Sequence, residues 1–381
     1  MSHFDIRKPV VGLPEQDPEP QIPEDELARR LTAPGYRCAC CGQRMSGQTV
    51  SMHYYAKRRL DLQDIFSRVR GGASLRDIGR TVGCSRTAIA HAVSRMGRQA
   101  IASHSAMMVC FESSGSFVFD GLHSSVTGGD YPTQITTLVD ATSEMILSMT
   151  HCVTERGGRR TSAQQRRILE KRRIWRPRRR ALRDAISLLL RELPQFTRCL
   201  PMTIDCDEHP LYAALVAQDV ALRWYARHGL LRVRRTPGHA PRTVSNRLFA
   251  VNYVDRMIRH RLKEHTRETI AVGRNSTMQM YRMWIFAWDH NVNQPHRVKP
   301  VSDECRALKS GVPPQVVKRL SEQFFTRRVS MQPVSVCESL RQVWMGELDT
   351  PPVRWRVGQR STGPTIPDYA QQDLACSIPQ A

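Results

Sequence analysis

From Asp61 to about Met96, apolar residues recur at three- and four-residue steps, the period of amphipathic helices. Asp61–Arg70 predicts a first short helix, closed by Gly71-Gly72. Ser74 then stands at an N-cap, with Asp77 three residues on, as in a capping box. Leu75, Ile78 and Val82 line one face of that second helix, which Gly83 ends. Ser85 caps a third, on which Ile89, Val93 and Met96 share a stripe. The pattern predicts a trihelical unit with a tight turn.

Beyond residue 115 the period shortens. Ser116–Phe119, Gln134–Val139 and Met145–Met149 are short runs rich in Val, Ile, Thr and Phe, as in strands. An apolar helix is expected over Ala181–Leu190, a fourth strand over Pro201–Asp205 and a helix from Leu211. Val251, Val254, Ile258 and Leu262 form one stripe of a clear helix, and an aromatic helix follows over Met278–Trp288. Three strands, a helix, a strand and further helices make a mixed α/β order. Residues 1–35, with six prolines and seven acids, read as a disordered arm, and the proline-rich last thirty residues as a tail.

Charge narrows the partners. Against 35 Asp+Glu stand 57 Lys+Arg, a formal net charge of +22, which suits a polyanion and above all nucleic acid. No apolar run approaches the roughly 18 residues of a spanning helix, so no membrane association is expected. Eleven scattered cysteines read as reduced thiols in a cytoplasmic protein. Arg156–Arg180 holds twelve Arg or Lys against one Glu, and reads as a strand-breaking run able to clamp phosphate.

In so basic a chain, acids delivered to strand ends need a purpose, and divalent cations held against phosphate supply one. Asp120 ends the first strand, followed by Gly121, and both Asp205 and Asp207 stand at the end of the fourth. On the third element Asn252, Asp255, Arg256 and Arg259 share one helix face. Two Mg²⁺ or Mn²⁺ ions about 4 Å apart need several carboxylates among their oxygen ligands.

At these residues the chain resembles the acidic-triad transposases of bacterial insertion sequences, whose catalytic core is RNase H-like. The matching segments are Phe119-Asp120-Gly121, Asp207 through Tyr212, Val251 through Arg259, Arg267-Glu268-Thr269-Ile270, and His290 through Pro295. The resemblance spans roughly residues 36–300. It implies an RNase H-like mixed sheet flanked by helices over 110–300, with the basic insertion 156–180 inside it. A helix-turn-helix domain over 56–105 precedes it and a helical segment with a flexible tail, 301–381, follows. It implies binding of terminal inverted repeats in double-stranded DNA, metal-dependent cleavage and strand transfer, a homodimer or larger assembly on DNA, and a nucleoid-associated location. The five-residue step to Tyr212 assigns the second acid to Asp207, with Asp205 the alternative. Many relatives carry Glu where Asn252 stands; here an acid falls one turn later, which assigns the third ligand to Asp255, with Glu268 as its rival. A decayed or domesticated transposase that only binds DNA is the competing reading.

The expected DNA contacts are Arg86, Thr87, His91 and Arg95 on a recognition helix over Ser85–Arg95. Arg172, Arg173, Arg176, Arg178, Arg179 and Arg180 in the basic run, with Arg256 and Arg259 beside the acids, complete the set. Cys38 and Cys41 form a single Cys-x-x-Cys pair in segment 36–55, where relatives carry a zinc ribbon. With no second pair nearby, a tetrahedral zinc site is not expected, and the segment reads as a ribbon remnant.

Overall fold

The computed structural model describes residues 4–5, 35–39, 42, 44–54, 56–266, 269, 271–297, 302, 304–329, 331 and 337–352. Most of the expected N-terminal arm and the tail beyond residue 352 lie outside them. Within the arm, β1 (Phe4–Asp5) pairs antiparallel with β2 (Gly35–Cys38), which pairs with β3 (Arg44–Ser46).

Side-chain caps start the three helices that the hydrophobic spacing predicts. The Asp61 carboxylate accepts the N–H groups of Gln63 and Asp64 at the start of α1 (Leu62–Arg70). Ser74 accepts from Asp77 at the start of α2 (Leu75–Val82), and Gly83 ends that helix in the left-handed region at φ 68°. Ser85 caps α3, which runs over Arg86–Met108 rather than stopping near Met96. Gly97, inside this helix, serves packing. A Cβ there would lie 2.4 Å from the Tyr281 Cβ, so its absence lets α3 close on α9 (Ser276–Trp288). Gly97→Ala is therefore expected to cost about 1–3 kcal/mol by overpacking, measured as a lower denaturation midpoint at unchanged m-value.

The second half of α3 is almost entirely buried, and His104 Nε2 sits 2.8 Å from the Leu147 carbonyl of the sheet. The units expected on either side of residue 105 thus share one helix and one hydrophobic cluster.

A five-stranded mixed sheet flanked by helices forms the α/β body. Its order is β6–β5–β4–β7–β8, with β4 (Ser116–Ser125), β5 (Pro132–Asp140), β6 (Ile146–Val153), β7 (Met202–Asp207) and β8 (Leu231–Thr236). β4, β5 and β6 form an antiparallel meander, whereas β7 runs parallel to both β4 and β8. Phe117, Val118 and Phe119 are all buried, as a central strand covered on both faces requires. β8 was not expected as a strand: its exposed arginines hide the alternation of an edge strand.

The basic run is also ordered. Residues Ser162–Ile174 form α4, started by a capping box in which Thr161 and Gln164 satisfy each other's backbone N–H groups. Long cationic side chains are good helix formers, so the run is a helix rather than a strand-breaking coil. Asp130, 8% exposed, anchors it by accepting from Arg167 at 2.8 and 3.0 Å and Lys171 at 2.7 Å.

The remaining helices are α5 (Ala181–Arg191), α6 (Pro210–Gln218), α7 (Val220–Arg227) and α8 (Phe249–Arg261), followed by α9. The short α10 (Arg306–Lys309), α11 (Pro314–Gln323) and α12 (Glu338–Met345) close the described chain. The motif His290 through Pro295 proves structural. It falls where α9 widens into a π-turn over Asp289–Asn293. There Asn291 accepts the Ile146 N–H at 3.0 Å and donates to its carbonyl at 2.9 Å, pinning the start of β6. Asp289, fully buried, holds Arg70 and Arg261 at 3.0 and 3.1 Å. No helix among the described residues is long and apolar enough to cross a membrane.

Candidate active site

Register brings the first two acids together. Val118 of β4 lies opposite Asp205 of the parallel strand β7. Two residues further along each strand stand Asp120 and Asp207, and side chains two apart share a face. Asp120 is therefore not at a strand end, as its place after Phe119 had suggested. It pairs with Thr137 in mid-β4, because polar residues to Ser125 continue the ladder with β5. It does lie just beyond the stretch paired with β7, where the sheet opens.

The backbone tailors both positions. The Gly121 N–H donates to Asp120 Oδ1 at 2.7 Å, and a Cβ at 121 would fall 2.1 Å from Gln134 Nε2. Asp207 ends β7, and its Oδ1 accepts the His209 N–H at 2.9 Å. His209 itself caps α6, accepting the Leu211 N–H on Nδ1, which gives this turn histidine a local structural job. Tyr212 packs edge-to-face on Phe119, with ring centroids 4.6 Å apart, and ties α6 to β4 behind the acids.

Asp255 arrives from α8, whose buried stripe of Val251, Val254 and Ile258 packs against β4 and β5. Its Oδ1 is buried without a hydrogen-bond partner. Burial, and next the charge of Asp120, push the Asp255 carboxyl up to about 8, while Arg259 and Arg242 pull it down. Burial also raises Asp120, with Asp207 adding to it, against the Gly121 N–H, His123 and Arg242. Tyr212 is raised too, by burial first and then by Asp207 and Asp120. Asp207 thus acts on Asp120, and Asp120 on Asp255, as like charges do at short range.

Asp205 is separate from this group. It is 2% exposed and accepts a bidentate pair from Arg234 of β8 at 2.8 and 2.6 Å. As an alternative catalytic acid it is displaced, because both its oxygens already serve the β7–β8 junction. Asp205→Asn is expected to lower stability by about 1 kcal/mol, because the Arg234 left behind is 43% exposed and water takes up its charge. It should leave any metal-dependent DNA cleavage per folded molecule near the native rate; loss of cleavage in a fully folded variant would return Asp205 to the site. Glu268 lies outside the described residues, as do Cys41 and the side chain of Cys38.

The expected DNA contacts fall into two kinds. Arg86, Thr87 and His91 project from the exposed first turns of α3. Arg173, Arg176, Arg179, Arg180 and Arg256 are also exposed. Others have protein partners: Arg95 stacks over the Tyr54 ring at 5.1 Å, Arg172 pairs with Glu155 at 2.9 Å and Arg178 with Asp349 at 2.6 Å. Arg259 is half-buried beside Asp255 and reaches the His265 carbonyl at 3.5 Å.

Two neighbours of the acids escaped the sequence reading, His123 and Arg242. Each is a lone residue in a chain with 13 His and 57 Lys+Arg, so neither carries a periodic signature. A cavity of about 360 Å³ lies elsewhere, against β6, α5 and α12, and none of the three acids lines it.

Three carboxylates, one with an orphaned oxygen, fit Mg²⁺ or Mn²⁺ in the kind of donor they offer. Among the described residues, however, no three His, Cys, Asp or Glu side chains already stand grouped to hold an ion. No protein-family model matches this chain, and no curated protein sequence matches it.

Proposed function

We propose that this chain is a metal-dependent DNA transposase, with an RNase H-like core and a helix-turn-helix unit formed by α1–α3. The observation that carries the reading is the electrostatic coupling of Asp120 to both Asp207 and Asp255, on a molecule of net charge +22. Carboxylates close enough for the charge of one to raise the next, in a strongly basic protein, are poised to take cations.

Asp120, Asp207 and Asp255 would hold Mg²⁺ or Mn²⁺, which when bound supplies charge neutralisation at phosphate and a more acidic water. The protein's own part is placement. β4 and β7 set the first two carboxylates on one sheet face, and α8 presents the third with Arg256 and Arg259. The exposed arginines of α3, α4 and the 176–180 stretch would carry the DNA backbone.

In the reaction, water attacks the phosphorus at an element end and the P–O3′ bond breaks, leaving a 3′-hydroxyl and a 5′-phosphate. That hydroxyl then attacks a target phosphodiester, whose own 3′-oxygen leaves with the proton balance returned to solvent. Two ends must be joined in one event, so a dimer or larger assembly on paired inverted repeats follows.

The ungrouped state of the acids favours a second reading, a DNA-binding regulator that has lost its chemistry. A joining assay in Mg²⁺, on DNA carrying the sequences that flank the coding region, separates the two. Joined products support the transposase. Cutting without joining assigns a nuclease, and binding without cutting assigns the regulator.

A further inference from the structure

Helix α7 turns an aromatic face outward. Asp219 caps it by accepting the N–H groups of Ala221 and Leu222, and Arg191 of α5 pairs with the same carboxylate. Leu222 is buried, and Tyr225 and Ala226 pack beside it on the core. Val220, Arg223, Trp224, Arg227 and His228 therefore share the opposite face, at i, i+3, i+4, i+7 and i+8. Trp224 is 51% exposed and Val220 73%. The indole is nevertheless held in place. His228 lies against it with ring centroids 4.4 Å apart, and its Nδ1 is fixed on the Trp224 carbonyl at 2.8 Å. Tyr225 meets the indole edge-on at 5.4 Å.

Charge decides what covers that face. From Val220 to Thr236 the chain carries five arginines and no acid. Arg234 is locked on Asp205, whereas the side chains of Arg223, Arg227, Arg232 and Arg235 have no ion-pair or hydrogen-bond partner among the described residues. The acid just before the helix, Asp219, is already taken by its cap and by Arg191. A second copy of this face would set arginine against arginine, so the occupant is a polyanion. An aromatic ring flanked by guanidinium groups suits a nucleic-acid strand, since the ring takes the face of a base and the arginines its phosphates. Base faces inside a duplex are already covered by their neighbours, which leaves an unpaired stretch. The path beyond leads to the acids. After Gly229, β8 runs as an edge strand parallel to β7, with Arg232 and Arg235 exposed along it, and its last residue, Thr236, stands in register with Asp207.

We propose that the outer face of α7 binds an unpaired segment of DNA, with one base stacked on Trp224 and the adjoining phosphates on Arg223 and Arg227. The choice of DNA over RNA rests on the preceding reading of the chain. The stacking surface itself stands whether or not the three acids hold metal.

Binding of fluorescently labelled oligo(dT), oligo(U) and a duplex to the full chain, in EDTA, decides it. Trp224→Ala should weaken oligo(dT) binding about 10- to 100-fold and leave duplex binding near the native level. Trp224→Phe, which keeps an aromatic face, should recover part of that loss. Arg227→Ala should lower the slope of log affinity against log salt on oligo(dT) by about 0.7. No binding of oligo(dT) by the native chain, native affinity in Trp224→Ala, or an equal loss on single strand and duplex overturns the stacking surface. Tighter binding of oligo(U) than of oligo(dT) overturns the assignment to DNA. A Trp224→Ala chain that keeps its oligo(dT) affinity but sediments as a smaller assembly makes this face an interface between copies instead.

Discussion

Asp120→Asn is expected to abolish metal-dependent DNA joining, by at least about 10³-fold, while DNA binding stays at the native level. The substitution keeps the shape of the side chain and an oxygen to accept the Gly121 N–H. It removes the carboxylate that feels Asp207 and whose charge in turn acts on Asp255. Loss of a shared ligand loses charge neutralisation at phosphate, worth several kcal/mol in the transition state. On the proposed reading DNA binding would draw on arginines of α3 and α4, remote in the chain from this residue, and its salt dependence should not change. The variant should also be at least as stable as the native chain, because burial and Asp207 both disfavour the Asp120 charge. A folded, DNA-binding, joining-deficient protein is thus the expected outcome. Joining that survives Asp120→Asn excludes the triad.

Thermal stability in EDTA is expected to fall as pH rises from about 7 to 8, and added Mg²⁺ should reverse that fall. The sign follows from proton linkage. Asp255 and Asp120 have folded pKa values raised above the ordinary carboxylate range, Asp255 to about 8. The folded state therefore binds more protons than the unfolded state between pH 4 and 8. Its stabilisation is complete below pH 4 and is lost as pH climbs through 8, at no more than about 1.4 kcal/mol per pH unit for one group. The buried histidines His104, His151, His265, His290 and His296 act the other way. Burial lowers each of them, so their contribution is lost only on acidification through about 6.5. Above pH 7 they are silent and the acids dominate. Mg²⁺ at about 100 times its dissociation constant adds roughly 2.7 kcal/mol, or about 3–4 °C for a chain of 381 residues. Asp255→Asn should flatten the pH slope above 7 and reduce the Mg²⁺ gain. A flat native profile, with no response to Mg²⁺, would mean that the three carboxylates do not share a site.

Much of the scaffold was legible in the residues alone. Asp61, Ser74 and Ser85 announced their helices because an N-cap is a local event, settled within three or four residues. The apolar runs at 116, 134, 145 and 201 announced strands because burial on a sheet has its own period. The stripe Val251, Val254, Ile258 announced α8 and, with it, the face carrying Asp255. Charge alone argued for a polyanionic partner.

What the residues left open is what depends on partners distant in the chain. Nothing near Gly97 in the chain shows why it is glycine; the Tyr281 Cβ, 2.4 Å from where its own Cβ would stand, does. Asp205 and Asp207 differ in sequence only by their step to Tyr212, and pairing with β8 is what hands Asp205 to Arg234. Asn291 is in sequence only part of a segment that carries the family resemblance, until both its amide atoms are found on Ile146, 145 residues away. Arg242 has no sequence signature at all, since a lone charge acquires meaning only from the folded chain around it. Local propensity and periodicity determined the elements; long-range register and the sharing of buried polar groups decided which acids meet.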